Sequence, residues 1–205
     1  IEMEGSEGTT LTGKVMATFD QPWAMTFLPD GHSLVTEKEG VIWLLDKNQQ
    51  KRFSVENVPD VTARGQGGLG DVIIHPDFAT NNTIYVSYVE RDPQDDAFSG
   101  AVIERATLNI TNNSASLSDR EIIWRQSPKV TGNGHYSHRM VFSPDGYLFI
   151  TSGERQKFTP AQNMAMNLGK ILRLNDDGSV PDDNPFVGNG KVTGQIWTLG
   201  HRNPL

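Results

Sequence analysis

One local pattern recurs along this chain: an apolar run ends at a proline–aspartate turn and is answered by runs of β-branched and aromatic residues. Phe27-Leu28-Pro29-Asp30-Gly31 leads into Ser33-Leu34-Val35-Thr36-Glu37 and then Gly40-Val41-Ile42-Trp43-Leu44-Leu45-Asp46. Phe142-Ser143-Pro144-Asp145-Gly146 leads into Leu148-Phe149-Ile150-Thr151-Ser152-Gly153-Glu154 and, after an insertion, Gly169-Lys170-Ile171-Leu172-Arg173-Leu174-Asn175. A degenerate copy lies between them: Ile74-His75-Pro76-Asp77-Phe78, then Thr83-Ile84-Tyr85-Val86-Ser87-Tyr88, then Ala101-Val102-Ile103-Glu104-Arg105-Ala106. Proline presets the turn dihedral, aspartate bonds back to the backbone, and glycine accepts positive φ. Each copy therefore predicts an antiparallel meander.

A small meander cannot bury both of its faces, so the copies must stack, and small sheets arranged radially make a β-propeller. The chain reads as all-β, a single partial propeller domain of about three blades. Those blades fall at residues 14–62, 66–125 and 135–195, and 196–205 reads as the start of a further blade through Ile196-Trp197-Thr198-Leu199. Residues 92–100 and 155–168 read as loop insertions, the second holding a short helical turn with Pro160 near its start and Gly169 after its end. Three blades leave open edges and an unfilled axis. The chain is thus expected to be a fragment, or one of two copies that pair to close a ring.

Composition removes several functions. The formal net charge is -7 with no clustered basic face, which argues against a nucleic-acid partner. There is no Cys, so there is no disulfide framework and no thiolate chemistry. No apolar run approaches membrane-spanning length. Residues 1–10 lack the charged-then-apolar pattern of a signal peptide. The acidic Asp176, Asp177, Asp182 and Asp183 lack the spacing and closing Glu of an EF-hand and read as a solvated turn, so no metal ligand is assigned.

Two places carry candidate chemistry. His135 follows two flexible glycines in Thr131-Gly132-Asn133-Gly134-His135-Tyr136, just ahead of the strand Arg139-Met140-Val141-Phe142. Glycines let the backbone bend and present a neutral imidazole at a blade's inner end, where it could accept a proton. Glu154 ends the strand that follows the Pro144 turn; it reads either as a carboxylate orienting that imidazole or as a solvated acid bonded to Arg155. His75 and His201 read as loop structure, and His138 as a surface residue ahead of a strand.

Four segments in order resemble the soluble PQQ-dependent (pyrroloquinoline quinone) glucose and aldose sugar dehydrogenases. They are Gln21-Pro22-Trp23-Ala24-Met25-Thr26-Phe27-Leu28-Pro29-Asp30-Gly31; Gly65-Gln66-Gly67-Gly68-Leu69-Gly70-Asp71-Val72 with His75-Pro76-Asp77-Phe78; Gly169-Lys170-Ile171-Leu172-Arg173-Leu174-Asn175 through Gly178-Ser179-Val180-Pro181 to Asp183-Asn184-Pro185-Phe186; and Gly200-His201-Arg202-Asn203-Pro204. The resemblance implies a six-bladed propeller of which this chain covers about the first half. It implies oxidation of an aldose at C1 to the lactone, with His135 as general base, hydride transfer to PQQ, and Gln66, Arg202 and Asn203 as cofactor contacts. Glu154 stands where the family generally has an aspartate, and it would orient His135. Calcium would hold the quinone through ligands that follow residue 205. An external electron acceptor, a periplasmic or secreted location and little or no turnover by this chain alone are also implied. Two other readings stand beside the enzyme: a non-catalytic propeller binding module, and a calcium-dependent lactonase, for which the axial cluster of acidic and amide ligands is lacking.

Overall fold

The computed structural model describes residues 1–49, 52–112 and 114–205. A short hairpin, β1 (Glu2–Glu4) with β2 (Thr10–Thr12), precedes three antiparallel meanders. The first is β3 (Pro22–Phe27), β4 (Ser33–Glu37), β5 (Val41–Leu45) and β6 (Arg52–Glu56). The second is β7 (Leu69–Ile74), β8 (Thr83–Arg91), β9 (Phe98–Ile110) and β10 (Ala115–Arg125), with the two-residue β11 (Val130–Thr131) added beside β9. The third is β12 (Ser137–Phe142), β13 (Leu148–Ser152), β14 (Lys170–Leu174) and β15 (Ile196–Leu199). The inner strands β3, β7 and β12 lie side by side in that order. The outer strands of the first two sheets meet through a parallel contact that pairs Val55 with Ala115 and Glu56 with Ser116. This is a partial β-propeller.

The Pro-Asp-Gly turns behave as their chemistry requires. The Gly31 and Gly146 N–H groups close their turns on the carbonyls of Leu28 and Ser143, at 3.0 Å each. In the degenerate copy the turn extends into a single helical turn, α1 (Phe78–Asn81), ended by Asn82 in the left-handed region.

The middle sheet explains why the strands must stack. Side chains alternate along β8. Ile84, Val86 and Tyr88 join a core shared with Leu34, Ile42, Leu44 and Val55 of the first sheet. Tyr85 turns the opposite way, into a second core with Met140, Leu148, Ile150, Leu172 and Ile196 of the third. Both faces are dry, which is why β8 is apolar almost throughout rather than alternating. Each fully buried side chain of this size contributes about 1.5–3 kcal/mol. A one-residue slip of register would exchange the two cores and is thereby excluded.

Polar seams join the inner strands. The Thr36 hydroxyl donates to the Gly70 carbonyl at 2.7 Å, linking sheets one and two. The buried Asp71 carboxylate accepts from the Met140 N–H at 2.8 Å and from Arg139 Nη1 at 3.2 Å, linking sheets two and three.

Two expectations are corrected here. Residues 196–199 do not open a further blade: β15 pairs with β14, Lys170 opposite Leu199 and Ile171 opposite Thr198, as the outer strand of the third sheet. Fully buried Ile196 completes that sheet's core, and the loop of residues 175–195, with the short helix α2 (Lys191–Gly194), merely delays the strand. His138 is not at the surface but only 2% exposed. It stacks on Trp23, ring centroids 6.0 Å apart, and its Nδ1 lies 2.8 Å from the Ser87 hydroxyl. That hydroxyl already accepts the Asp71 N–H, so its own hydrogen points at the imidazole. Burial first, and then the charges of Arg139 and Arg155, push the His138 pKa down to about 4.

Candidate active site

Loops from the second and third sheets converge at the end of the propeller opposite the Pro-Asp-Gly turns. They comprise residues 64–68 ahead of β7, 132–136 ahead of β12, 153–158 after β13, and 200–203 after β15. Two glycines set how closely they approach. A Cβ on Gly153 would lie 1.9 Å from the His135 carbonyl oxygen, and one on Gly65, whose φ is +58°, would lie 2.5 Å from that of Asn133. No larger residue fits either place without moving the loop that carries His135.

His135 and Glu154 form a buried pair, 8% and 1% exposed, with His135 Nδ1 hydrogen-bonded to Glu154 Oε1. The Gln156 N–H donates to the same Glu154 oxygen at 3.0 Å, and the Phe158 N–H donates to the other. Burial alone would raise the Glu154 pKa, but hydrogen bonds from His135 and from the backbone of Phe158 and Gln156 outweigh it. The carboxyl is held below the usual range and stays ionised, so His135 carries its proton on Nδ1. His135 Nε2 has no hydrogen-bond partner among the described residues.

The remaining predicted residues ring this pair. Gln66 Oε1 accepts the His135 backbone N–H at 2.7 Å, and the Gln66 N–H donates to the Asn133 carbonyl at 2.8 Å. The Arg202 carbonyl accepts the Glu154 N–H at 2.9 Å. Asn203 Oδ1 accepts from the Ser137 hydroxyl at 3.0 Å. Gln66, His135, Glu154, Arg202 and Asn203 thus occupy one rim. Arg202 is exposed, and among the described residues its guanidinium has no partner.

The backbone here is strained. His135, Ser137, His138, Arg155, Gln156 and Phe158 all have φ between 51° and 64°, a region L-residues rarely enter. Such residues gather where surrounding structure over-determines them, commonly at functional sites. Ser137 and Arg155 were not among the predicted residues. A lone arginine beside a carboxylate reads as its ion partner, yet the Arg155 side chain turns away from Glu154 and bonds backbone carbonyls.

Residues read as ordinary structure also have places. His75 Nδ1 accepts the Asp77 N–H at 2.9 Å, and His201 Nε2 bonds the Thr198 hydroxyl at 2.7 Å. Asp177 caps the Ser179 N–H at 2.9 Å, and Asp183 pairs with Arg173. Among the described residues no group of three or more His, Asp or Glu is arranged to hold a metal ion, and no helix is long and apolar enough to cross a membrane.

A partial propeller with an imidazole–carboxylate pair at its inner rim defines a class, and comparison with known proteins gives it a name. The chain belongs to the glucose/sorbosone dehydrogenase family, whose model matches residues 19–205. Among curated proteins it is 40% identical, over 188 residues, to aldose sugar dehydrogenase YliI of Escherichia coli (strain K12), covering 90% of this chain and 49% of that one. It is 31% identical over 215 residues to quinoprotein glucose dehydrogenase B of Acinetobacter calcoaceticus, covering 93% and 44%. The apo structure of the soluble aldose sugar dehydrogenase from Escherichia coli superposes with a TM-score of 0.83 at 39% identity, over 90% of this chain and 52% of that one. The PQQ-bound aldose sugar dehydrogenase from Streptomyces coelicolor gives 0.77 at 28% identity, over 91% and 52%. The chain spans about half the length of the curated relatives it matches.

Proposed function

We propose that the protein built on this chain oxidises an aldose at C1 to the lactone, with PQQ as cofactor and His135 as general base. The carrying observation is the buried His135–Glu154 pair, proton on Nδ1 and Nε2 unpartnered, on the same rim as Gln66 and Arg202. An ionised Glu154 fixes the tautomer and stabilises the imidazolium that forms when Nε2 accepts the C1 hydroxyl proton.

The rim fits an anionic, planar, carbonyl-rich group. The Arg202 guanidinium and the side-chain amide nitrogens of Gln66 and Asn203 are donors without partners among the described residues, and a guanidinium both pairs with carboxylates and stacks on rings. When bound, the quinone would supply the acceptor for the hydride leaving C1, with Arg202, Gln66 and Asn203 the residues that would hold it. Gln66 serves the base as well, since its Oε1 holds the His135 backbone and so ties the cofactor rim to the imidazole. We further place the activity in the periplasm or outside the cell, with an external electron acceptor; the absence of Cys is compatible with an oxidising compartment.

Dye-linked sugar oxidation in the presence of PQQ and calcium tests this reading. His135→Gln is expected to lower kcat at least about 1000-fold, as removal of a general base with its oriented partner does. His32→Gln, at a distant turn, is expected to keep the rate. Absence of PQQ binding at micromolar concentration, or full activity in His135→Gln, overturns the reading.

A further inference from the structure

Among the described residues, Arg155 is the one large cation buried against the base that the proposed chemistry does not use. It is 1% exposed, and burial pushes its pKa down to about 10. A buried guanidinium normally faces a carboxylate. Here the carboxylate next in sequence, Glu154, is taken by His135 and by two backbone N–H groups. The Arg155 fork points the other way, into the loop ahead of β12.

Its bonds bracket His135 closely. Arg155 Nε donates to the Gly134 carbonyl at 3.0 Å, and Nη2 donates to the Gly132 carbonyl at 2.5 Å. Nη1 donates to the Ser99 carbonyl at 2.6 Å on the second sheet. The guanidinium carbon sits 3.7 Å over the Tyr136 ring, whose hydroxyl bonds Ser99 Oγ at 2.7 Å. The Arg155 backbone N–H donates to the His135 carbonyl itself at 3.2 Å. Residues 132, 134, 135 and 136 are therefore all held by one residue, which in turn is anchored to the neighbouring sheet.

This loop needs such a hold. Gly132 and Gly134 give it freedom, and His135 has a positive φ of 51°, a region that residues other than glycine enter infrequently. Without a clamp, the imidazole plane would drift relative to Glu154, and orientation is worth more to a base than proximity alone. The carbonyls also suit a cation of this kind: each is bonded by a different nitrogen of the guanidinium, and a single ammonium nitrogen would have to serve all three.

We propose that Arg155 is a positioning residue that fixes the His135 imidazole against Glu154 by clamping the backbone of residues 132–136 onto the second sheet. The proposal rests on the enzymatic reading above only for its kinetic consequence; the placement of His135 is measurable without catalysis.

The experiment compares Arg155→Met with Arg120→Met, which breaks a remote pair with buried Glu104 and so controls for loss of stability. The first readout is the nitrogen and proton NMR signature of the His135 ring in the folded protein. Arg155→Met is expected to abolish the protected Nδ1–H resonance and average the two tautomers, while Arg120→Met leaves both unchanged. The second is steady-state kinetics of the PQQ- and calcium-loaded enzyme. Arg155→Met is expected to lower kcat about 10- to 100-fold with KM within about twofold, as misoriented catalytic groups do. Should Arg155→Met not fold, Arg155→Lys is read in the same way; it keeps the charge but not the fork, and the same broadening is expected. An unchanged His135 signature in a folded Arg155 variant overturns the proposal. A wild-type protein that oxidises no sugar, yet loses the His135 signature in Arg155→Met, overturns the enzymatic reading and leaves the positioning role standing.

Discussion

His138 shows what a single buried imidazole does to stability. The folded protein keeps it neutral down to a pKa of about 4, whereas in the unfolded chain it titrates near 6.5. Between those values the unfolded state holds more protons than the folded one, so stability falls as pH falls from 6.5 and the loss is complete below about 4. The shift corresponds to roughly 3 kcal/mol. Denaturant titrations at pH 7 and pH 4 are expected to show a loss in the parent protein larger by about that amount than in His138→Asn. Equal losses would place the acid sensitivity elsewhere. Legibility differs sharply between residues at this scale. Gln66, His135 and Glu154 can be picked out because motif order and flanking glycines point to them. His138 and Arg155 cannot, because their partners are a hydroxyl, a ring and backbone carbonyls, which leave no spacing in the sequence.

The segment of residues 153–169 between β13 and β14 holds both Glu154 and Arg155, and its far end is secured by Lys170. That ammonium is fully buried and donates to the carbonyls of Pro160, Ala161 and Leu168 at 2.8, 3.1 and 2.7 Å. Ala161 in turn receives the Gly200 N–H at 3.0 Å, which joins the segment to the loop bearing Arg202. Lys170→Met would leave several carbonyls in a dry interior without a donor. It is expected to cost about 2–4 kcal/mol, seen as a lower denaturant midpoint at unchanged slope. A shift under about 0.5 kcal/mol would mean that the carbonyls find other donors. Elements of the fold were easier to read than their order. Proline–aspartate turns between β-branched runs specify hairpins through local chemistry alone. The place of β15 depends on the third sheet's core reaching across a loop of some twenty residues (175–195), and no local signal carries that.

At the scale of the molecule, the middle sheet is sealed on both sides and the flanking sheets on one. Met25 and Phe27 of the first sheet are 49% and 67% exposed, and Val141 and Trp197 of the third are 61% and 41% exposed. Apolar side chains on open faces, next to unpaired strand edges, favour association. The 205-residue chain prepared alone is expected to sediment above its 22.7 kDa monomer mass and to bind a hydrophobic dye. Charged substitution of Phe27 and Val141 together is expected to return it toward the monomer. A monodisperse monomer without dye binding would show that these faces are satisfied as they stand.

The seams at Thr36, Asp71 and Arg155 join each sheet to the one translated just before it. The His135–Glu154 pair itself is held from both directions along the chain, by Gln66 well before it and by the Arg202 carbonyl well after it. During synthesis, the pocket around this pair is therefore able to close only once the loop carrying Arg202 has emerged from the ribosome, so the last strand of the third sheet and the loop after it set when the pair settles.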